Sequence, residues 1–482
     1  MTTQLYPARE IAGAPITHRR SGISPSALGW GAIAVVGTLW ATSIVIGFVP
    51  ALTLLTLVSF VAVIVGVTWP AIGLLGVSLL CTLDAMSRVF LLTGGWWRWN
   101  TFNYVLLIVI ALFSPLLLRL RDVTSRLLLL LCVLVTLEVL LSPDWLQGME
   151  DALNMVTALG VLVYLVRARQ SRESWYWMGL VCGTAGAIGG LMYYVQRTNL
   201  TFINPNAWVF APLTALFALC LGFPTGLRLR RQLAPMLLAL ANTAWVFLSG
   251  SRGGMVLAAI CLLFLLLVMD GVRRRATFFI VGLALAIGVS SQFGGLEEHA
   301  LHRVNVLLDP QLSMVDRTSE RIALVLGGAE IFEAHPLGVG TGGFAVAFSK
   351  LPPIQGLASY ERLGTRSPAH SGWIKMLAEN GLPGIVLMVG CVMSFALCGL
   401  RHRAKRLRLI GLFTTVVLAL AFATNEYQNK GLWLLVAGAI VLLQYTPEAR
   451  RSSDTMQHEP PGAAPGTAPE QPADAARAGL HA

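Results

Sequence analysis

Long apolar runs constrain this chain more than any other feature of its sequence. Runs of about 17 to 23 apolar residues recur along most of it, and a helix of that length crosses the roughly 30 Å of bilayer hydrocarbon. Charged residues make up only 12% of the 482 residues, which excludes a soluble protein, since soluble domains carry about 25%. The pattern predicts an all-α polytopic membrane protein.

The number of such runs predicts about 12 to 14 transmembrane helices. The predicted spans are 27–49, 51–69, 71–93, 101–120, 126–142, 150–167, 175–196, 206–223, 234–250, 253–270, 276–292, 379–400, 406–424 and 428–445.

Basic residues fall in alternate loops, and this pattern predicts the orientation of the chain. The formal net charge is +11, but its distribution follows the positive-inside rule and does not indicate a nucleic-acid partner. The basic loops, which we expect in the cytoplasm, contain Arg119, Arg121 and Arg126; Arg167, Arg169 and Arg172; Arg228, Arg230 and Arg231; Arg273, Arg274 and Arg275; and Arg401, Arg403, Lys405, Arg406 and Arg408.

One long polar interruption, residues 293–371, is expected to be an extracytoplasmic loop and the natural location of a functional site. It separates two parts of the membrane domain, 26–292 and 372–446. Residues 1–25 are expected to form a cytoplasmic tail. Residues 447–482 are rich in Pro, Ala and Gly, which favours a disordered cytoplasmic tail.

All seven cysteines lie inside predicted spans, where a small apolar side chain is their expected use. We therefore predict no disulfide and no metal site. We also expect no cofactor.

A short outer turn contains Ser251, Arg252 and Gly253 between two predicted spans. The planar guanidinium of Arg252, held at the membrane surface, suits a lipid phosphate or diphosphate. An interfacial arginine that contacts lipid headgroups is the alternative interpretation.

The outer loop contains a second arginine and a glycine-rich segment. Residues 319–332 have helical composition, and Arg321 lies on the face of that helix opposite Glu330. Arg321 is therefore a candidate anion ligand, with an ordinary solvated arginine as the alternative. Gly338, Gly340 and Gly343 have the spacing of a dinucleotide fingerprint but lack the strand that such a site requires. We expect them to permit a tight backbone path against the membrane domain.

A histidine lies at the end of the outer loop, where the loop meets the membrane. His370 precedes a segment that contains Glu379, Gly381 and Pro383. An isolated histidine is commonly structural, but its imidazole can act as a general base on a sugar hydroxyl. Two arginines on the same side can hold a diphosphate leaving group.

These features in this order resemble the O-antigen ligase and polymerase family. The resemblance covers residues 251–384: the Ser-Arg-Gly turn at 251–253, Arg321, the segment from His335 to Gly340, and His370 followed by the Gly-Leu-Pro-Gly run at 381–384. It implies a metal-independent glycosyltransferase of the bacterial cytoplasmic membrane, with its site facing the exterior. The donor is expected to be an undecaprenyl diphosphate-linked glycan and the acceptor a glycan or a lipid-linked molecule.

The resemblance also implies roles for individual residues. Arg252 and Arg321 are expected to bind the diphosphate, and His370 is expected to activate the acceptor hydroxyl. Attack of this hydroxyl on the anomeric carbon is expected to invert the anomeric configuration. Further candidates for substrate binding are Arg197, Asn204, Asn206 and His335. A helix N-cap is the alternative interpretation of the asparagines. A flippase and a chain-length regulator are expected partners, besides the membrane lipid.

Three functional alternatives stay open at the level of sequence. Within the family, we favour repeat-unit polymerisation over ligation to lipid A-core. Asp84, Arg88 and Glu138 lie in or near predicted spans and are compatible with a secondary transporter. Asp84 and Arg88 are four residues apart, however, which equally suits a structural pair. The third alternative is a membrane scaffold that gathers other polysaccharide enzymes.

Overall fold

The computed structural model describes residues 74–76, 78, 81–82, 122–168, 171–197, 209–225, 229–249, 251–269, 271–292, 321–351, 369–424 and 430–445. All regular secondary structure in these residues is helical, which confirms the prediction of an all-α membrane protein. The predicted spans 27–49, 51–69 and 101–120 lie outside the described residues, as do both tails, Asp84 and Arg88.

The helices that position the candidate site are numbered here in chain order. They are α1 (Val123–Leu137, extended by a 3₁₀ turn at Glu138–Leu141), α2 (Trp145–Ala168), α3 (Arg172–Arg197), α4 (Phe210–Gly222), α5 (Leu229–Leu248), α6 (Arg252–Val268), α7 (Val272–Gln292), α8 (Arg321–Ala334), α9 (Phe344–Phe348), α10 (Gly372–Leu400), α11 (Lys405–Thr424) and α12 (Lys430–Ile440).

Among the described residues, four helices are long and apolar enough to cross a membrane: Val123–Leu141, Trp145–Val166, Gly372–Leu400 and Lys405–Thr424. Shorter apolar helices lie at Phe210–Gly222, Arg252–Val268 and Gly431–Tyr445. Large apolar side chains such as Leu263, Val386 and Leu397 are more than half exposed on their outer faces. A lipid environment explains this exposure, since it removes the cost of leaving such surfaces uncovered.

The helices pack through small residues as well as large ones. Gly399 of α10 lies against Gly411 of α11, so the two backbones cross in close contact. Gly222, at the end of α4, lies against the backbone of Trp175 in α3. Close approach of this kind supplies the van der Waals contact that holds helices together where lipid removes the hydrophobic drive. All seven cysteines are buried, as expected for small apolar side chains.

Arginines at one end of the bundle bind the last carbonyl groups of neighbouring helices. Arg406 donates to the carbonyl of Leu221 at 3.0 Å, near the end of α4. Arg275 donates to the carbonyl of Met269 at 2.9 Å through Nη2 and at 3.0 Å through Nε, just past the end of α6. The last carbonyls of a helix have no partner within it and carry partial negative charge, so a cation stabilises them.

Helix α10 differs from its predicted boundary. The sequence predicted a span from residue 379, whereas α10 begins at Gly372 and is interrupted at Gly381, where φ is 58° and ψ is −153°. The first part of α10 has a lower mean hydropathy because it contains three polar residues, Lys375, Glu379 and Asn380. All three are buried in the structure. Their burial depends on partners from other elements, which no hydropathy pattern contains.

Candidate functional site

Arg252 is the first residue of α6 and follows a hydrogen-bonded turn. Ser251 caps the helix, because its Oγ accepts from the backbone N–H of Gly254 at 3.3 Å. Ser249 binds the same turn, since its Oγ accepts from the N–H of Ser251 at 3.2 Å. The guanidinium therefore starts from a helix N-terminus, where the helix dipole favours an anion. Helix α5 ends at Leu248 and α6 begins at Arg252, in agreement with the predicted short connection between two apolar helices.

Arg321 is the first residue of α8, and the structure brings it close to Arg252. The pKa of Arg321 is lowered from its ordinary value, first by burial of the guanidinium and second by the positive charge of Arg252. Both arginines are partly buried. Two like charges that repel each other in a partly buried setting favour an anion that neutralises both.

His370 lies directly before the N-cap of α10 and is exposed. Its φ of 51° is in the left-handed region, which non-glycine residues rarely adopt. Ser371 caps the helix: its Oγ accepts from the N–H of Ile374 at 3.5 Å and donates to the carbonyl of Phe422 at 3.2 Å. The imidazole is thus presented from a strained residue next to an anchored helix end.

The outer end of α11 brings Arg252 and His370 to the same part of the molecule. Gly253, next to Arg252, packs against Thr424, the last residue of α11. Ser371, next to His370, donates to Phe422 two residues earlier. Both candidate residues therefore lie beside the same final turn of α11.

Helix α8 packs along the first part of α10 and so adds Arg321 to this group. Gly328 of α8 lies against the side chain of Ile374 in α10. Arg321 precedes Gly328 by seven residues, which is two helical turns, so it lies on the same face of α8. Three residues that are distant in sequence thus project from helix ends that pack together.

The interruption in α10 leaves two carbonyl groups without their usual helical partners. Pro383 has no N–H to donate to the carbonyl of Glu379, and the turn at Gly381 separates Leu382 from the carbonyl of Ala378. Buried carbonyls without partners cost free energy, and more so inside a membrane protein.

The segment from His335 to Gly340 fills this interruption. Three backbone hydrogen bonds dock it: Val339 N–H to Ala378 at 3.1 Å, Gly340 N–H to Glu379 at 2.9 Å, and Leu382 N–H to Pro336 at 2.9 Å. Two motifs that the sequence analysis treated separately, the glycine-rich segment and the Gly-Leu-Pro-Gly run, are therefore two sides of one contact.

Two of the three glycines named in the sequence analysis permit this contact. Gly338 and Gly340 have φ angles of 92° and 90°. A Cβ atom at Gly338 would meet the backbone of Glu379 in α10, and one at Gly340 would meet the backbone of Ser142 between α1 and α2. Their use is a close backbone approach to the membrane domain, as predicted.

A buried hydrogen-bond network lies beneath the docked segment. Asn380 Nδ2 donates to the carboxylate of Glu138 and to Thr341 Oγ1, the latter at 2.9 Å. Thr341 Oγ1 in turn donates to the carbonyl of Val135 at 2.8 Å. Glu138, one of the charges behind the transporter alternative, is thus a hydrogen-bond partner that ties α1 to α10 and to the outer loop.

Charged residues to which the sequence analysis assigned no role complete the junction. Lys375 of α10 forms an ion pair with Asp151 of α2 at 2.9 Å, and both side chains are buried. Glu379 Oε1 accepts from the N–H of Phe344 at 3.2 Å, at the start of α9. Lys375 and Glu379 are four residues apart and so share one face of α10, a pattern that could have indicated a common buried setting.

The remaining candidates are not brought to this group. His335 is exposed at the far end of α8, about 20 Å from Arg321 along a helix of 14 residues. It lines a pocket of about 210 Å³ with Pro143, Val339 and Lys350 among others. Asn204 and Asn206 lie outside the described residues, as does the side chain of Arg197, the last residue of α3. Their predicted role in substrate binding stays a prediction.

A family model described as O-antigen ligase matches residues 235–389. Over these residues the chain is similar to the O-antigen ligase family. This segment is about a third of the chain and contains Arg252, Arg321 and His370 together with the docked interruption of α10. No curated protein matches the sequence. The matching family suggests glycan transfer in polysaccharide assembly, and the apolar helices indicate a membrane protein.

Proposed function

We propose that this protein is a metal-independent, inverting glycosyltransferase that moves a glycan from an undecaprenyl diphosphate carrier to a glycan acceptor on the outer face of the bacterial cytoplasmic membrane. The observation that carries the proposal is that Arg252 and Arg321, which are 69 positions apart in sequence, begin two helices that pack against α11 and α10, respectively. His370 projects from the neighbouring helix end.

The two arginines are suited to a diphosphate. A guanidinium donates several hydrogen bonds in a planar fork and keeps its charge at any physiological pH. Two of them beside each other match the two phosphate groups of a polyprenyl diphosphate, and they stabilise the charge that develops on the leaving group as the glycosidic bond breaks.

His370 acts as the general base in this mechanism. The acceptor hydroxyl oxygen attacks the anomeric carbon of the donor while its proton passes to a ring nitrogen of His370. The bond between the anomeric carbon and the diphosphate oxygen breaks, and the polyprenyl diphosphate leaves with the electron pair. One displacement of this kind inverts the anomeric configuration.

Polymerisation of repeat units is the proposed reaction, and ligation of a finished chain to lipid A-core is the second candidate. The description of the matching family as O-antigen ligase favours the second. In both reactions the donor is held by its diphosphate, so Arg252 and Arg321 have the same role. The acceptor alone distinguishes them. A flippase and a chain-length regulator belong to the proposed setting.

The test measures glycan length in cells that lack the protein and are complemented with wild type or with Arg252→Ala, Arg321→Ala or His370→Ala at matched membrane levels. Arg231→Ala, an exposed residue in the first turns of α5, serves as the control. We expect polymer with wild type and with the control, and single carrier-linked units with the three variants.

The product that accumulates decides between the two reactions. Single carrier-linked units in the deletion strain support polymerisation, whereas long carrier-linked chains that never reach lipid A-core identify a ligase. Full activity of all three variants would overturn the assignment of the site.

A further inference from the structure

A buried ion pair holds the first turns of α10 against α2. Lys375 Nζ lies 2.9 Å from Asp151 Oδ2, and the side chains are 6% and 0% exposed. Gln147, one turn earlier on α2, donates to Asp151 Oδ1 at 3.3 Å. Both charges are therefore removed from solvent and set between helices of the bundle.

Stability alone does not account for this pair. Taking two charges out of water costs free energy, and apolar residues of similar volume commonly replace a buried ion pair without loss of stability. Met376 and Ala378, close to Lys375 on α10, are apolar and fully buried, so this helix can be packed with apolar side chains. An ion pair differs from such packing because it selects one rotation and one register of the helix. Charges inside a membrane domain are typical of functional sites.

The pair lies close to the candidate base. Lys375 follows His370 by five residues, and His370 has the left-handed φ of 51°. A strained residue keeps its conformation only when its surroundings hold it there. On the other side of the same helix end, Ser371 donates to Phe422 and Trp373 Nε1 donates to the carbonyl of Ala419 at 2.8 Å. The helix end after His370 is thus held on α11 by two residues and on α2 by Lys375.

We propose that Asp151 and Lys375 are positioning residues for His370, an inference that rests on the proposed function. The pair sets the rotation of the first turns of α10, and this rotation directs the imidazole towards a diphosphate-linked sugar held by Arg252 and Arg321. The pair joins α10 to α2, whereas Arg252 and Arg321 begin α6 and α8. Loss of the pair therefore slows transfer and leaves diphosphate binding unchanged.

The test uses the double variant Asp151→Leu/Lys375→Met in the full-length protein. We expect wild-type membrane levels and an unchanged unfolding temperature, since both charges of the pair are removed together. The affinity for geranylgeranyl diphosphate should stay within about two-fold of wild type. In contrast, kcat for glycan transfer should fall about 100-fold, with carrier-linked glycan isolated from deletion cells as the donor. Lys375→Arg, which keeps the pair, should retain most of kcat. Thr414→Val, at a buried hydroxyl in α11, is the control for loss of a buried polar group.

A folded double variant with wild-type kcat would overturn the positioning role. A parallel loss of kcat and of diphosphate binding would overturn it too, because it would indicate general damage to the site. If the double variant does not accumulate, Asp151→Asn/Lys375→Gln takes its place, because it keeps a polar contact without charge. We then expect kcat to fall about ten-fold while diphosphate binding is unchanged. A kcat equal to that of wild type would overturn the proposal. Wild-type protein that neither binds the probe nor transfers glycan overturns the proposed function instead.

Discussion

His370 combines chemical capability with backbone strain. Among the described non-glycine residues, it is the one with a positive φ. Such a conformation costs on the order of 1 to 3 kcal/mol and is found preferentially at functional sites. The sequence predicted the histidine from its place at the end of the loop, but the strain depends on the φ angle, which only the folded chain has.

Substitution of His370 should separate activity from stability. His370→Gly removes both the imidazole and the strain, since glycine adopts a positive φ without steric cost. We expect glycan transfer to fall by about 10²- to 10⁴-fold, with an unfolding temperature equal to or above that of His370→Ala. Transfer assays and thermal unfolding in detergent measure the two effects. A glycine variant that unfolds below the alanine variant would contradict the strain argument.

The two arginines should lose affinity in a coupled manner. Arg252→Ala and Arg321→Ala each remove charge-assisted hydrogen bonds, and we expect each to weaken binding of geranylgeranyl diphosphate by about 10- to 100-fold. Because one ligand contacts both, the double variant should lose less than the product of the single effects. Binding titrations over the four proteins of the cycle provide the measurement. If the loss of affinity in the double variant equals the product of the two single losses, the arginines belong to separate sites.

Arg252→Lys and Arg321→Lys refine this test. Lysine keeps the charge but lacks the planar fork, so each variant should bind between wild type and the alanine variant. Wild-type affinity in both would show that charge alone holds the ligand.

At the scale of elements, a loop segment supplies the backbone hydrogen bonds that the interrupted helix α10 lacks. Gly381 and Pro383 interrupt α10, and the freed carbonyls of Ala378 and Glu379 accept hydrogen bonds from the glycine-rich segment. Since α8 ends just before that segment, the contact couples the helix of Arg321 to the helix that follows His370. The geometry of the site therefore depends on backbone hydrogen bonds between two motifs that are about 40 residues apart in sequence.

Two glycines of α10 provide a matched pair for this coupling. At Gly381, φ is 58° and a Cβ atom would meet the backbone of Pro336 and Leu337, whereas at Gly390 it would touch only Leu127 at 3.6 Å. We expect Gly381→Ala to destabilise the protein by about 2 kcal/mol or more and to expose the loop to protease. Gly390→Ala should be neutral or slightly stabilising. Thermal unfolding and limited proteolysis compare the two; equal effects would show that the docked contact contributes little.

At the scale of the whole molecule, Arg252 of the candidate site and the basic residue Arg275 lie at opposite ends of α6. Helix α6 begins with Arg252 and is followed by Met269, whose carbonyl binds Arg275. The arginines from which the cytoplasmic side was predicted thus also bind helix C-termini. The positive-inside rule and the partial negative charge of helix C-termini both favour positive charge at this end of the helices.

This arrangement predicts the accessibility of introduced cysteines. All seven native cysteines are buried, so a new surface thiol can be detected above a low background. In right-side-out vesicles, an impermeant maleimide should label Lys350→Cys at once and Lys405→Cys only after the membrane is opened. Both positions are exposed in the structure. Labelling in the reverse order would overturn the outward orientation of the candidate site and with it the proposed reaction.

The sequence predicted the all-α membrane class, the turn around Arg252 and the three candidate residues. These predictions depend on local information: the length of apolar runs, the alternation of basic loops, and the chemistry of residues at their ends. Local information did not predict the ion pair between Lys375 and Asp151. Each residue is an ordinary charge near a span boundary, and their pairing joins positions 224 apart in the chain.

The sequence by itself determined that the chain spans a membrane with helices, because burial of long apolar runs in lipid leaves the backbone no other way to pair its polar groups. It also proposed Arg252, Arg321 and His370 as side chains with the chemistry to bind a diphosphate or accept a proton. Only the tertiary structure decided that the helix ends that carry these residues pack together, that His370 adopts a strained conformation, and that the glycine-rich segment completes α10. These features arise from contacts between elements far apart along the chain, and the free energy of such contacts depends on geometry that local patterns do not contain.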